Sequence, residues 1–444
     1  MSRRVVVVLA LMPAAALPAT AGAAAPADRA LAVAPLAAEA AGYGGFLAWT
    51  AADGIAIRPP QGAVRTVRLA HVVRLSAGPD ERGRPIVLAI ACPGRRSSCR
   101  VVRIDARSGR TSRPAWGRGV QAAAQWRTTI VTASADRFCR IGVRSAGGRH
   151  RSIGVGGCTL REGNNDPGVT AIALRGTRFA VRASSPSTYS GSSQEIVTGD
   201  VRRSRTFVVR RTQPGESGSG NVALGPPVLT AAGVTWTTAR WDGKNSVGRR
   251  VLGAGGRPGR ARDAEARSSG RQTCGVAHDG RRWAAIEAPG EGRVQCLSGE
   301  IDRTTASLVV ERAVDPLSGA AHWSAPELRL ELPCVPPPPP KPGDVPVIGC
   351  DPTGEIVVRA QRALVRDHRT VERVPLSGAM VEVDQVDGPP YRRPPRPRVV
   401  VPPTATAADG GWRARPPAWE FALRAIGRTA DGQPLLSAWA DGSA

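Results

Sequence analysis

Apolar residues in this chain fall in short runs broken by Gly, Pro and Asp, and no stretch holds the 3.6-residue period of an amphipathic helix. The runs form strand-turn-strand cassettes that begin near Phe46, Ile86, Ile130, Phe179, Val234 and Trp283, about 40 to 55 residues apart. The second cassette is the clearest. It has an apolar run over 85–92, a turn at Pro93-Gly94, a second run over 99–105, and then the turn Arg107-Ser108-Gly109-Arg110. Runs at 130–134 with 138–144, 179–183 with 195–201, 234–240, and 283–287 with 293–297 repeat it. The turns repeat in chemistry too, as Ala146-Gly147-Gly148-Arg149, Arg203-Ser204-Arg205 and Ala254-Gly255-Gly256-Arg257. Further strands are expected at 71–76, 120–125, 169–174 and 274–277, which brings each unit to four.

A four-strand unit at this period predicts an all-β fold with a β-propeller over 40–333. Dividing a span of about 290 residues by about 42 to 48 leaves six or seven blades open. Residues 308–332 are either a seventh blade or the closing partner of the first, and the Ala-rich segment 26–39 is a leader or a ring-closing strand. Two β-sandwiches are the rival reading, ranked second because the turn chemistry recurs more regularly than sandwich loops do. The stretch Val102-Arg103-Ile104-Asp105-Ala106-Arg107-Ser108-Gly109-Arg110-Thr111 resembles exported bacterial β-propellers of the WD-repeat-like and TolB-like type. That resemblance implies a strand ending in an acidic residue that leads through a Gly-rich turn.

Residues 334–350, with Pro336 to Pro340 at their centre, read as a polyproline spacer. Beyond it, in 351–444, short alternating runs at 356–358, 379–383, 404–407, 421–426 and 435–439, with turns at Ala408-Asp409-Gly410-Gly411 and Asp431-Gly432, predict a small C-terminal β-sandwich. Gly378-Ala379-Met380-Val381-Glu382-Val383 followed by Ala408-Asp409-Gly410-Gly411-Trp412 resembles immunoglobulin-like and transthyretin-like modules of bacterial surface proteins. This resemblance implies a spacer or adhesion module.

The N-terminus places Arg3-Arg4 before an apolar run from Val5 to about Ala19, followed by Ala21-Gly22-Ala23 and Ala23-Ala24-Ala25, the pattern of a signal peptide over 1–25. About 15 apolar residues span only about 22 Å as a helix, short of the roughly 30 Å hydrocarbon core, so cleavage by the general secretory route is expected over a retained anchor. The eight cysteines then fall into sequence-near pairs, Cys92 with Cys99, Cys139 with Cys158, Cys274 with Cys296, and Cys334 with Cys350. Local pairing is the entropically easiest of the possible connectivities, and it suits an extracytoplasmic protein. A zinc site is not expected, because no C-x-x-C occurs and the five histidines are dispersed.

The formal charge is +25, from 61 basic against 36 acidic residues, and all the basic residues but Lys244 and Lys341 are arginine. The arginines are spread along the chain with little interleaved aromatic character, so specific nucleic-acid binding is not expected. Anionic wall polymers, glycans or envelope proteins are the expected partners of such a surface, strongest at low salt. The densest cluster, Arg392, Arg393, Arg396 and Arg398 on a proline-stiffened segment, is one candidate contact, and Trp241 beside the Asp242-Gly243 turn is another.

No catalytic or cofactor signature stands out. Gly215-Glu216-Ser217-Gly218-Ser219-Gly220 has the wrong order for a nucleophile elbow, Gly154-Val155-Gly156-Gly157 lacks the third glycine of a dinucleotide fingerprint, and Gly243-Lys244-Asn245 lacks the hydroxyl of a phosphate loop. Asp166, Asp242, Asp279 and Asp387 sit at turns, where aspartate caps backbone amides. The expectation is therefore an exported, monomeric, non-enzymatic binding or scaffold protein without cofactor or metal. The alternative is an extracellular glycan hydrolase or lyase whose carboxylates converge from different blades.

Overall fold

A computed structural model describes residues 27–35, 39–93, 99–134, 139–145, 147–156, 168–185, 193–212, 222–240, 245–265, 271–289, 306–318, 321–323, 327–331, 356–367, 369–375, 377–378, 380–385, 398–409, 411–414, 420–424, 426–428, 432–436 and 440–443. The described residues are all-β, with two single-turn 3-10 segments and no α-helix. The chain opens with β1 (Arg29–Pro35) and then lays down antiparallel meanders in sequence order. The first blade is β2 (Ala40–Tyr43), β3 (Phe46–Ala51), β4 (Gly54–Arg58) and β5 (Arg65–Arg68). The second is β6 (Val72–Pro79), β7 (Pro85–Ala91), β8 (Arg100–Asp105) and β9 (Thr111–Ser112). The third is β10 (Val120–Trp126), β11 (Thr129–Ser134), β12 (Arg140–Arg144) and β13 (His150–Gly154).

The fourth blade is β14 (Val169–Arg175), β15 (Arg178–Ser185), β16 (Ser193–Asp200) and β17 (Thr206–Arg211). In the fifth, β18 (Val222–Leu224) and β19 (Val228–Thr230) share the innermost place beside β20 (Gly233–Arg240), followed by β21 (Asn245–Leu252) and β22 (Pro258–Glu265). Pro226 and Pro227 lie between β18 and β19 and have no N–H to give the ladder, which explains the break. The sixth blade is β23 (Arg271–His278), β24 (Trp283–Pro289) and β25 (Ala306–Arg312), with β1 as its outer strand. The six-bladed β-propeller is thereby closed, and Leu308 belongs to the sixth blade.

Strand character follows position. β7 reads Pro-Ile-Val-Leu-Ala-Ile-Ala and is buried along its whole length, because blades stack face to face and a middle strand is covered on both sides. Val87 and Ala89 pack with Phe46, Ala48, Ile55 and Ile57 of the first blade, while Ile86, Leu88 and Ile90 pack with Val120 and Ala123 of the third. Each fully buried aliphatic side chain contributes about 1.5 to 3 kcal/mol. The outermost strands carry exposed polar residues instead, as in β9 and in β13 with His150, Arg151 and Ser152 outward, which blunts their edges.

Closure joins the two ends of the ring. Register runs from Arg29 opposite Glu311 to Pro35 opposite Ala306. Asp28, fully buried, accepts a hydrogen bond from the Arg312 guanidinium at 2.6 Å and another from the Ala313 amide at 2.8 Å. Glu287 pairs with the other side of the same guanidinium. Burial disfavours the Arg312 cation, but Glu287 and Asp28 outweigh it and raise its pKa above the ordinary arginine value.

Outside the ring, the long strand Ile356–Arg366 pairs with His322–Trp323, Glu327–Glu331, Arg369–Pro375 and Gly411–Ala414. A second sheet orders Arg398–Ala405, Met380–Gln385, Glu420–Arg424 and Ala440–Ser443, and Ile426–Arg428 forms a hairpin with Pro434–Leu436. The turn expected at 408–411 is present, with the Ala407 amide donating to Gly411 O at 2.8 Å and the Gly411 amide to Asp409 Oδ1 at 2.8 Å. The Pro-rich segment 334–350 lies outside the described residues.

Asp28→Ala removes one of the two carboxylates on a buried guanidinium and the side-chain acceptor for the Ala313 amide at the end of the β1–β25 ladder. Urea unfolding should show a loss of about 3 kcal/mol. A change below about 0.5 kcal/mol, the range of ordinary surface substitutions, would contradict this role for the closure.

Candidate functional site

In an antiparallel meander the first and third turns of every blade fall at the same end of the ring, here called the turn face. Aspartates at strand ends hold these turns. Asp80 Oδ1 accepts from the amides of Arg82 and Arg84 at 2.9 and 2.7 Å, while its Oδ2 accepts from Arg84 Nε at 2.7 Å. Asp279 repeats the device with the amides of Arg281 and Arg282 at 2.8 and 2.7 Å and Arg282 Nε at 2.8 Å. Asp105 takes the amides of Arg107 and Ser108, and Asp200 takes the amide of Arg202. Asp279 is thus a cap, as its turn position implied, while Asp166, Asp242 and Asp387 lie outside the described residues.

These contacts set the charge state. Burial pushes Asp80 up, yet the Arg84 amide and guanidinium and the Arg82 amide hold it below its ordinary 3.8. Asp105 is lowered in the same way, against burial, by the Ser108 amide and hydroxyl and the Arg107 amide. Burial also raises Glu81, but Arg103 and Gln125 bring it below 4.5.

At the channel mouth on this face, Tyr43 at the end of β2 meets Trp126 at the end of β10 edge to face, with ring centroids 5.3 Å apart. The Arg175 guanidinium sits 5.6 Å from the Trp126 centroid. On the other side of the mouth His278 packs at a tilt of 47° against Trp283, with ring centroids 4.6 Å apart, and Arg249 lies 5.1 Å from the Trp283 ring while gripping Asp315 with both amines at 2.7 and 2.9 Å. Burial lowers the His278 pKa, with Asp279 and Asp315 opposing and Arg175 and Arg249 assisting, so the imidazole is neutral near pH 7. Its Nδ1 accepts from the Gly280 amide at 3.2 Å.

Two clefts open between the fourth and fifth blades. The inner one, about 330 Å³, is lined by Trp126, Arg175, Arg178, Leu229, Thr230 and Leu252. The outer one, about 510 Å³, is lined by Arg203, Arg205, Phe207, Gly253, Gly255 and Arg257. Leu252 lines one and Gly253 the other, so the clefts adjoin along the radius of the ring. Arg205 stands 5.1 Å over the Phe207 ring, and neither it, Arg203 nor Arg257 has a carboxylate partner among the described residues. Between the lining residues Gly255 and Arg257, Gly256 is buried at φ +80°; its missing Cβ would meet the Gly199 backbone at 2.7 Å, and its carbonyl accepts from the buried Thr198 hydroxyl at 2.9 Å.

Of the residues singled out by sequence, Trp241, Arg392, Arg393 and Arg396 lie outside the described residues, and Arg398 opens a strand of the C-terminal region opposite Gln385. Cys92 and Cys99 form a disulfide between β7 and β8, with Cα atoms 4.1 Å apart. Cys139 and Cys274 are also disulfide-bonded, while Cys158, Cys296, Cys334 and Cys350 lie outside the described residues. Sequence reasoning passed over Trp126, Arg175 and the Arg203, Arg205 and Arg257 group as a site. The repeated Gly-Arg turns were their signal. Among the described residues no group of His, Cys, Asp or Glu is arranged to hold a metal ion, and no helix is long and apolar enough to cross a membrane.

No family model and no curated protein matches the sequence. Among solved structures, the chain is similar to the N-terminal domain of Nup159, at 10% identity over 61% of this chain and 74% of that one with a TM-score of 0.32. It is similar to BamB from Moraxella catarrhalis, at 10% identity over 87% and 98% with a TM-score of 0.32. A neuraminidase-like protein of A/flat-faced bat/Peru is similar at 9% identity over 95% and 96%, again with a TM-score of 0.32. Similarities this distant carry no argument about the site.

Because Asp80, Asp105 and Asp315 titrate lower in the folded chain than when unfolded, protonation favours unfolding. Their stabilisation is complete above about pH 5 and is lost as the pH falls through the folded values, below the ordinary carboxylate range. The melting temperature should drop between about pH 5 and about pH 3, and Asp80→Asn should lower it at neutral pH but approach the parent at about pH 3. An equal deficit at both pH values would contradict the assignment.

Proposed function

We propose that this is an exported, non-enzymatic binding protein of the cell envelope or extracellular space, whose turn face takes an anionic polymer along the cleft between the fourth and fifth blades. The observation that carries the reading is the outer cleft itself. Arg203, Arg205 and Arg257 present guanidinium groups, without carboxylate partners among the described residues, into one concavity beside the aromatic face of Phe207. Unpaired, hydrated arginine on a rigid support recognises carboxylate, phosphate or sulfate at little reorganisation cost. The adjoining inner cleft adds Arg175 and Arg178 and the Trp126 ring, so cations and apolar surface alternate along the radius, as an acidic glycan or wall polymer requires.

Export is supported by the signal-like residues 1–25 and by the Cys92–Cys99 bridge, which belongs to an oxidising compartment. Cleavage after Ala25 would leave the closing strand close to the mature N-terminus. In this reading the C-terminal strands form a β-sandwich of the immunoglobulin-like or transthyretin-like kind that holds the ring away from its attachment.

The hydrolase or lyase reading draws no comparable support. A general acid needs a raised pKa, whereas Asp80, Glu81, Asp105 and Asp315 on the turn face are all lowered and engaged with amides and arginines.

Polygalacturonate, with neutral dextran as control, is the probe. It should bind the purified protein in a salt-sensitive manner without release of fragments. Replacing Arg203, Arg205 and Arg257 together with Gln should weaken binding at least about ten-fold, the effect of about 1.4 kcal/mol, while replacing Arg107 and Arg110 should change it less than about two-fold. Unchanged affinity in the triple variant, or fragment release, would overturn the reading.

A further inference from the structure

A β-bulge recurs in the innermost strands of four blades. The register against the next strand shifts between Val72 and Arg74 in β6, Val120 and Ala122 in β10, Val169 and Ala171 in β14, and Thr273 and Gly275 in β23. The extra residues, Val73, Gln121, Thr170 and Cys274, all fall near the start of their strands, at the end of the channel opposite the turn face. A bulge re-aims side chains and releases backbone groups from the ladder. Here Thr170 O accepts from Arg74 Nε at 2.8 Å, and Val169 O accepts from Gln121 Nε2 at 3.1 Å. The bulges thus tie the second, third and fourth blades together through polar contacts where a channel wall would otherwise be apolar.

Two cations meet at Thr170. Arg74 reaches its carbonyl from the second blade, and Arg182 of β15 donates from Nε to its hydroxyl at 2.8 Å. Arg182 sends one terminal amine to Leu224 O at 2.8 Å, so both of its acceptors are neutral. Its other terminal amine has no partner among the described residues. Among the described residues the one carboxylate that acts on the pair is Glu39, and it is already engaged: Arg74 lies 3.2 Å from its Oε1, and the Leu75 amide donates to its Oε2 at 3.0 Å. Among the described residues two guanidinium groups therefore share one carboxylate, which leaves one positive charge in excess. Burial, and next to it Arg74, lower the Arg182 pKa to about 10 against the weaker pull of Glu39, and the group remains cationic at neutral pH.

A partly buried guanidinium does not lose its proton near pH 7, and its uncompensated charge calls for a counter-anion. We propose that this end of the channel is a binding site for one small oxyanion, a carboxylate, phosphate or sulfate, held by the second terminal amine of Arg182 and the guanidinium of Arg74. The site is separate from the cleft on the turn face. Glu39 is its built-in competitor, because it occupies part of the donor set that an incoming anion would use.

Calorimetric titration with sodium acetate, sodium phosphate and sodium sulfate, each at constant ionic strength balanced with sodium chloride, tests the site and ranks the three chemistries. The expected result is saturable binding of at least one of them at one site per chain. Arg182→Gln should weaken that binding at least about ten-fold, and Glu39→Gln, which keeps an acceptor for the Leu75 amide, should strengthen it several-fold. The variant with Arg203, Arg205 and Arg257 replaced should bind the small anion as the parent does. Absence of saturable binding to all three salts would overturn the proposal, as would affinity unchanged in both Arg182→Gln and Glu39→Gln, or loss of binding in the turn-face variant instead.

Discussion

The ring depends on one antiparallel pairing, that of β1 with β25. Every other blade is built from consecutive strands and closes on local turns, but the sixth has only three strands of its own and takes its fourth from the start of the chain. That contact spans nearly three hundred residues, as the Arg312 to Asp28 hydrogen bond makes plain with a separation of 284. It must overcome the largest loop-closure entropy in the propeller. The buried Asp28, Arg312 and Glu287 group sits at its upper end, and the apolar cluster of Ala34, Leu47, Trp49, Ala277, Ala284 and Val309 seals the first blade against the sixth below it.

Once the ring is closed, the turn face becomes a rigid plate. Aspartates at the ends of strands neutralise neighbouring arginines and bind the turn amides, so the acidic residues of this face are spent on architecture. Arg203, Arg205 and Arg257, without carboxylate partners among the described residues, come together where two blades spread apart, so part of the chain's positive surplus is concentrated at an inter-blade cleft. The same surplus recurs inside the channel, where bulged strands bring Arg74 and Arg182 to one threonine.

Much of the ring was legible in the sequence, and the physical reason is burial on both faces. Phe46, Ile86, Ile130, Phe179, Val234 and Trp283 each lie at or near the start of the second strand of a blade, and in β7 that strand is a continuous apolar run because both sides are covered. The inner strands expected at 71–76, 120–125 and 169–174 are β6, β10 and β14, each slightly longer than the pattern suggested. Blade number stayed open between six and seven because the closing strand is Ala-rich and the outer strands are short, exposed and polar, so neither carries a periodic signal. The clefts were not legible at all. Trp126 and Arg175 are adjacent only through the convergence of two inner strands, and no spacing along the chain encodes that convergence. The bulges were hidden for the same reason, since a single extra residue in β14 looks like ordinary strand until its partner in β15 is known.

The central claim is that β1 is an integral strand of the sixth blade, and native-state amide hydrogen exchange of the whole chain tests it most directly. The amides of Arg29–Ala34 that donate to β25 should exchange as slowly as those of Ala306–Arg312, because both open only when the ring opens. Exchange of these β1 amides at the rate of a free peptide, while β23, β24 and β25 stay protected, would contradict it.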